Sequence, residues 1–299
     1  MPIVAIKEQE NKNIKTSKPI KEVMDIYIPD IPDGISRRNG MIYLLVGSGG
    51  SGKTSLLLNQ FKKGNAYHKK FHNLYYFCPS SSFSSVEKHP FEKHDKVYHA
   101  LDMEVLSDLK KELSNIKKES IEGDQQQYNC VIIDDFANDL KDKGIQQQLN
   151  SMLIKARHLN TSFIFTLQSY SYMPKILRKQ ITYLTCFKTR NSEEWDLIRK
   201  EILHMPMKDA KIIFDYCFDK PYQHLAEIMG VDEQEAKEIT FQNLYGGIRP
   251  ELQNKPFFKS IGSTCSNNWL ISKYFDLKKG FLLSLDIAPT SFCTSSNCL

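Results

Sequence analysis

Gly47, Ser48, Gly49, Gly50, Ser51, Gly52, Lys53 and Thr54 read G-x-x-x-x-G-K-T, and no other stretch restricts the fold as much. The pattern is that of a phosphate-cradling loop. Its glycines let the backbone curl so that successive N–H groups face phosphate oxygens, and a following helix adds positive potential at the same spot. The flanks agree. Ile42-Tyr43-Leu44-Leu45-Val46 is an apolar strand, and Ser55-Leu56-Leu57-Leu58-Asn59-Gln60-Phe61 is a good helix start. A Gly/Ser-rich linker matching by chance would have neither. In such a loop Lys53 reaches the β- and γ-phosphates, and Thr54 offers its hydroxyl to Mg2+.

The rest of the chain is compatible with one large globular unit plus appendages. It has 299 residues, 41% hydrophobic and 25% charged, which suits a packed core. No run of about 18 apolar residues occurs, so no membrane span is expected. Residues 1–18 are polar and lack the apolar centre of a secretory leader, which predicts an intracellular protein. The seven cysteines include no C-x-x-C pair, and buried free thiols in a reducing compartment are expected. A net charge of +5, from 40 basic and 35 acidic residues, permits nucleic-acid binding without demanding it.

Strand and helix patterns alternate through the first two thirds of the chain. Strands are expected over residues 41–46, 73–78, 128–134, 161–167 and 181–188. Helices are expected from the loop to about residue 63, over 103–118, along Ile145, Leu149, Met152, Leu153 and Ala156, and over 174–179, 193–203 and 207–217. Pro79-Ser80-Ser81-Ser82 reads as a breaker. His89, His94 and His99 lie five apart around Pro90, a spacing that suits a solvated loop better than a metal site. Residues 26–34 read as an extended lead-in. The alternation predicts an α/β three-layer sandwich with a mainly parallel sheet. It divides the chain into an N-terminal extension (1–35), a nucleotide-binding core (36–218) and a C-terminal region (219–299) whose last part, from residue 256, has no assignable role.

Two further pieces carry chemistry. Val131-Ile132-Ile133 ends in Asp134 and Asp135. A strand beside the loop strand would deliver these carboxylates to the phosphates, Asp134 to hold Mg2+ and Asp135 to orient and polarise an attacking water. A surface turn is the bland alternative, and the upstream loop weakens it. Gln168 ends the strand Thr161-Ser162-Phe163-Ile164-Phe165-Thr166-Leu167, where it either senses the γ-phosphate and places water or merely binds backbone.

The run Ala156-Arg157-His158-Leu159-Asn160, continuing through that strand to Gln168-Ser169-Tyr170, is similar to a block in the poxvirus-type DNA-packaging ATPases. Met173-Pro174-Lys175-Ile176-Leu177-Arg178 and Phe187-Lys188-Thr189-Arg190-Asn191 fit the same family, which occurs in large DNA viruses and virophages within the FtsK–HerA superfamily. The likeness covers residues 40–203. It implies a RecA-like P-loop NTPase core that hydrolyses ATP with Mg2+ and assembles into a homo-oligomeric ring. Such a ring drives double-stranded DNA into a capsid during genome packaging, beside capsid vertex or portal proteins, at viral assembly sites in the infected cell's cytoplasm or in association with the virion. Lys53 and Thr54 match the family's loop, Asp134 its Mg2+ carboxylate and Gln168 its strand-end sensor. Asp135 stands where many superfamily members carry Glu. A catalytic arginine from a neighbouring subunit is implied, with Arg157 first and Arg178 second. Arg157 reads equally well as a helix C-terminal cap.

Other readings remain open at this point. A P-loop kinase for a small acceptor could use Arg178 and Arg190 as lid arginines, and a nucleotide-gated assembly protein would bind ATP with little turnover. No Asn-Lys-x-Asp guanine reader occurs, so GTP is not the expected nucleotide. For DNA-backbone contact Lys141 and Lys143 are candidates, whereas Lys62, Lys63, Lys69 and Lys70 read as a solvated face.

Overall fold

The computed structural model describes residues 28–29, 31, 36, 38–86, 89–123, 126–218, 224–228 and 281–285. Within them the chain builds β1 (Ile42–Val46), α1 (Lys53–Phe61), β2 (Asn73–Phe77), α2 (Ser80–Phe83), β3 (Val97–Tyr98), α3 (Met103–Glu122), β4 (Asn129–Asp134) and α4 (Lys143–Leu153). It continues through β5 (Thr161–Leu167), α5 (Lys175–Arg178), β6 (Tyr183–Phe187), α6 (Ser192–Ile198), α7 (Met207–Cys217), β7 (His224–Ile228) and β8 (Phe281–Leu285).

The strands form one sheet in the order β3-β2-β4-β5-β1-β6-β7-β8. The pairings from β3 to β6 are parallel, and β7 and β8 pair antiparallel at one side. Inward residues alternate by strict strand period. Ile42, Leu44 and Val46 of β1 face a core with Leu106, Leu109 and Leu113 of α3 and Leu149 and Met152 of α4. Tyr43 and Leu45 face the opposite side, against Leu57, Leu58 and Phe61 of α1. Helices thus cover both faces, as a three-layer α/β sandwich requires. Two of them begin on aspartate caps: Asp102 accepts from Val105 N–H and Asp142 from Ile145 N–H, each at 2.9 Å.

Several expectations need correction. β4 is not beside β1, because β5 lies between them. Gln168, at the end of β5, is therefore closer in the sheet to the glycine loop than the acid pair is. The serines after Pro79 make a single helical turn, α2, with Pro79 as its N-cap residue. The histidine segment is not wholly solvated: His89 is buried, and β3 adds to the sheet edge. The helix expected over 193–203 is α6 followed by a π-helical turn at Arg199–Leu203. Residues 1–22 lie outside the described residues, as does most of the lead-in over 26–34, of which Ile28 and Ile31 are buried. Most of 219–299 lies outside them too. Among the described residues, no helix is long and apolar enough to cross a membrane.

Candidate nucleotide-binding and hydrolysis site

The parallel pairings of β1, β4 and β5 place their C-terminal ends along one edge of the sheet. Ligand chemistry in such folds gathers at that edge. Here it collects the glycine loop after β1, Asp134 and Asp135 at the end of β4, and Gln168 after β5.

The loop turns into α1 through Gly52, whose φ of 99° lies in the left-handed region that glycine enters without steric cost. Ser48, Gly49 and Gly50 are exposed. Lys53 opens α1 and folds back over the loop, its Nζ donating to Gly47 O at 2.6 Å and to Ser48 O at 3.2 Å. Burial lowers the Lys53 pKa, opposed by the nearby charges of Asp135 and Asp134. Thr54, the next residue, lies in the first turn of α1 and is half-buried.

Asp134 is 2% exposed, and both its carboxylate oxygens are engaged. Tyr76 OH donates to Oδ2 at 2.8 Å, and Thr166 Oγ1 donates to Oδ1. Burial raises the Asp134 pKa, and the two hydroxyls work against that rise. Asp135 sits at φ 63°. From there its Oδ1 accepts from Gln168 Nε2 at 3.3 Å and its Oδ2 from Ser82 Oγ at 3.4 Å. The two residues singled out for water placement thus meet through their side chains. Thr54 and Asp134 contribute hard oxygen donors to one edge. Among the described residues there is no cluster of three or more His, Cys, Asp or Glu that could hold a metal.

Residues 37–214 match the family model of the poxvirus A32 protein. The chain belongs to that family. Solved structures similar to this A32-family chain include B204, the DNA-packaging ATPase from Sulfolobus Turreted Icosahedral Virus. It is 18% identical over 62% of this chain and 91% of that one, with a TM-score of 0.46. B204 from Sulfolobus turreted icosahedral virus 2, in complex with ATP-gammaS, is 22% identical over 63% and 92%, with a TM-score of 0.41. EssC (ATPases 2 and 3) from Geobacillus thermodenitrificans is 17% identical over 70% and 45%, with a TM-score of 0.46. No curated protein matches the chain.

The two arginines of this family member fall in different places. Arg157 is exposed and lies past α4, which ends at Leu153, so it stands beyond the last helical turn rather than in it. Its backbone packs against Gly40, where an added Cβ would lie 2.7 Å from Arg157 Cα and N. Gly40 precedes β1 and Arg157 precedes β5, so both mark the edge where the strands begin. A strand of this length spans about 17 Å. Arg157 and the loop of one chain are therefore at opposite edges. Arg178 ends α5, just before the chain enters β6, and is held within the chain. Its Nε is 3.2 Å from Glu201 Oε2, and its guanidinium stands 5.1 Å from the Tyr170 ring centroid.

Lys141 and Lys143 are exposed, Lys141 at the end of the helical turn Asp139–Lys141 and Lys143 at the start of α4. Lys62, Lys63 and Lys69 are exposed beyond the C-terminus of α1, and Lys70 is half-buried. Sequence reasoning missed Tyr76, Ser82, His89 and Thr166 as parts of the site. Thr166 had a legible signal, a hydroxyl that interrupts the apolar end of the strand two residues before Gln168. The others depend on how β2 and the segment after it fold back over β4.

Proposed function

We propose that this chain is an ATP-hydrolysing motor that moves double-stranded DNA into viral capsids during genome packaging. Membership in the A32 family supports that class. The observation that carries the chemistry is the Asp135–Gln168 contact at the mouth of the glycine loop, with Lys53 in the same site.

Backbone N–H groups of residues 47–54 cradle the phosphates, and Lys53 neutralises charge on the β- and γ-oxygens. The oxygen donors of Thr54 and Asp134 suit Mg2+, which prefers one or two protein oxygens completed by phosphates and water. When bound there, Mg2+ supplies charge neutralisation across the β- and γ-phosphates. Asp135 accepts a hydrogen bond from the water that attacks the γ-phosphorus, and Gln168 fixes that water's second direction. With a loose transition state, such positioning does most of the work. The acid pair and Gln168 together speak for hydrolysis rather than for a kinase.

Arg157 sits at the sheet edge opposite the loop, so it can meet a nucleotide only on another copy of the chain. That supports a ring in which each site is completed by its neighbour. Arg178, tied to Glu201, is the weaker choice. Lys141 and Lys143, exposed between β4 and the body of α4, are the candidates for DNA-backbone contact, which is salt-dependent and sequence-independent. Capsid vertex or portal proteins are the partners, and viral assembly sites the setting.

The test is ATP hydrolysis with and without double-stranded DNA, on protein sized by light scattering. A ring whose turnover rises on adding DNA is expected. A monomer with turnover indifferent to DNA would overturn the reading.

A further inference from the structure

The acid pair is gripped by a segment that the reaction described above does not use. Tyr76 of β2 pairs in register with Ile132, and both belong to the core on the α1 side. Asp134, two residues past Ile132, points to that same face. A tyrosine keeps its proton at neutral pH, so its hydroxyl donates to the carboxylate, at 2.8 Å. The tyrosine oxygen can then accept. His89 Nε2 stands 3.3 Å from it. The backbone N–H of Phe91 lies 3.2 Å from the other ring nitrogen, Nδ1. A backbone N–H only donates, so Nδ1 is the acceptor and the ring proton is on Nε2. Two hydrogen bonds therefore run in one direction, from His89 to Tyr76 and from Tyr76 to Asp134.

The histidine is itself fixed. It is 6% exposed, and its ring stacks on Phe83 with centroids 4.2 Å apart and planes at 25°. Phe83 follows Ser82, which reaches Asp135. Ser82 thus reaches Asp135 directly, and His89 reaches Asp134 through Tyr76.

We propose that Tyr76 and His89 are positioning residues for Asp134, holding its carboxylate in the rotation that meets the metal–nucleotide complex. Thr166 holds Oδ1 and Tyr76 holds Oδ2, so the plane of the carboxylate is set from two strands, β5 and β2. Without the tyrosine hydroxyl only one side is held. His89 orders that hydroxyl by occupying the lone pair that would otherwise let it turn. Hydrogen-bonding partners behind a metal-holding side chain act in this way in general, and losing one costs about 10- to 100-fold in metal affinity.

The inference rests on the reading that Asp134 holds the metal. Its test therefore measures metal binding without turnover: Mn2+ affinity of the protein–ATPγS complex, from the paramagnetic resonance of free Mn2+. Asp134→Asn is the control for the underlying reading. If it leaves Mn2+ affinity unchanged, that reading fails and this inference fails with it. If the parent protein shows no ATP turnover but the variants below behave as expected, the motor reading fails and this one stands.

Tyr76→Phe keeps the ring and removes the hydroxyl. About tenfold weaker Mn2+ binding is expected, with ATPγS affinity in EDTA unchanged. His89→Leu should weaken Mn2+ binding by less, and His89→Gln, whose amide N–H can stand in for Nε2–H, should restore it. Mn2+ affinity within twofold of the parent in Tyr76→Phe would overturn the proposal. So would an equal loss of nucleotide affinity in EDTA, since that marks a general structural defect. Should Tyr76→Phe fail to fold, the difference between His89→Leu and His89→Gln decides, and equal Mn2+ affinity in the two would overturn it.

Discussion

The two faces of the sheet are made by the same strands and are unlike each other. The face covered by α3 and α4 is mostly apolar: Ile42, Leu44, Val46, Val131, Ile133, Phe163 and Phe165 pack against leucines and methionine from the helices, and its tyrosines, Tyr75 and Tyr170, send their hydroxyls outward to Glu112 and Glu201. The face beneath α1 is threaded with tyrosines. Tyr43 and Tyr183 stack with centroids 4.2 Å apart, and Tyr43 OH bonds Thr185 Oγ1 at 2.9 Å. Tyr67 OH donates to Ser36 O at 2.9 Å, and Tyr76 reaches Asp134. Buried hydroxyls need partners, so each adds a directional constraint that an aliphatic side chain cannot. The first face holds the sheet together by area removed from water. The second fixes orientations, and the groups proposed for catalysis lie at its end.

That contrast can be broken by substitution. The largest effect is expected at Lys53. Lys53→Ala should lower ATP turnover by at least about 100-fold, the scale on which a charge-stabilising group is lost, with the thermal midpoint nearly unchanged. A large fall in the midpoint would mean that the catalytic edge also carries the fold. Next is Leu149→Ala, at a fully buried position of the apolar face. It should destabilise the protein by about 3 kcal/mol in denaturant unfolding and leave nucleotide affinity alone. Smallest is Tyr43→Phe, which strands the Thr185 hydroxyl at a cost of about 1 kcal/mol. Because Tyr43 does not touch the acid pair, its Mn2+ affinity should equal the parent's, unlike that of Tyr76→Phe. Equal losses in the two variants would dissolve the distinction between tyrosines that pack and tyrosines that aim.

Much of this was legible in the sequence. The glycine loop, the acid pair and Gln168 announce themselves because each is set by a local pattern: glycines before a helix, or polar residues ending an apolar strand. The five central strands of the parallel sheet were legible for the same reason. β3 was not, since two residues carry no periodicity. β7 was not, because its place follows from pairing with β6 across the intervening helices α6 and α7. The position of β5 between β1 and β4 is a matter of sheet order, which alternation alone does not specify. His89 was misjudged because its burial comes from Phe83 and Phe91, and those contacts exist only once the segment folds back on Tyr76. Spacing along the chain says nothing of such closure.

Asp135 has a left-handed backbone, at φ 63°. Aspartate and asparagine enter that region far more readily than most side chains. The turn and the acid are therefore a joint choice, and the shorter carboxylate suits the bend as well as the role proposed for it. An exchange to glutamate would change reach and backbone preference together, so its kinetics would confound the two. Asparagine keeps the turn and discards only the charge.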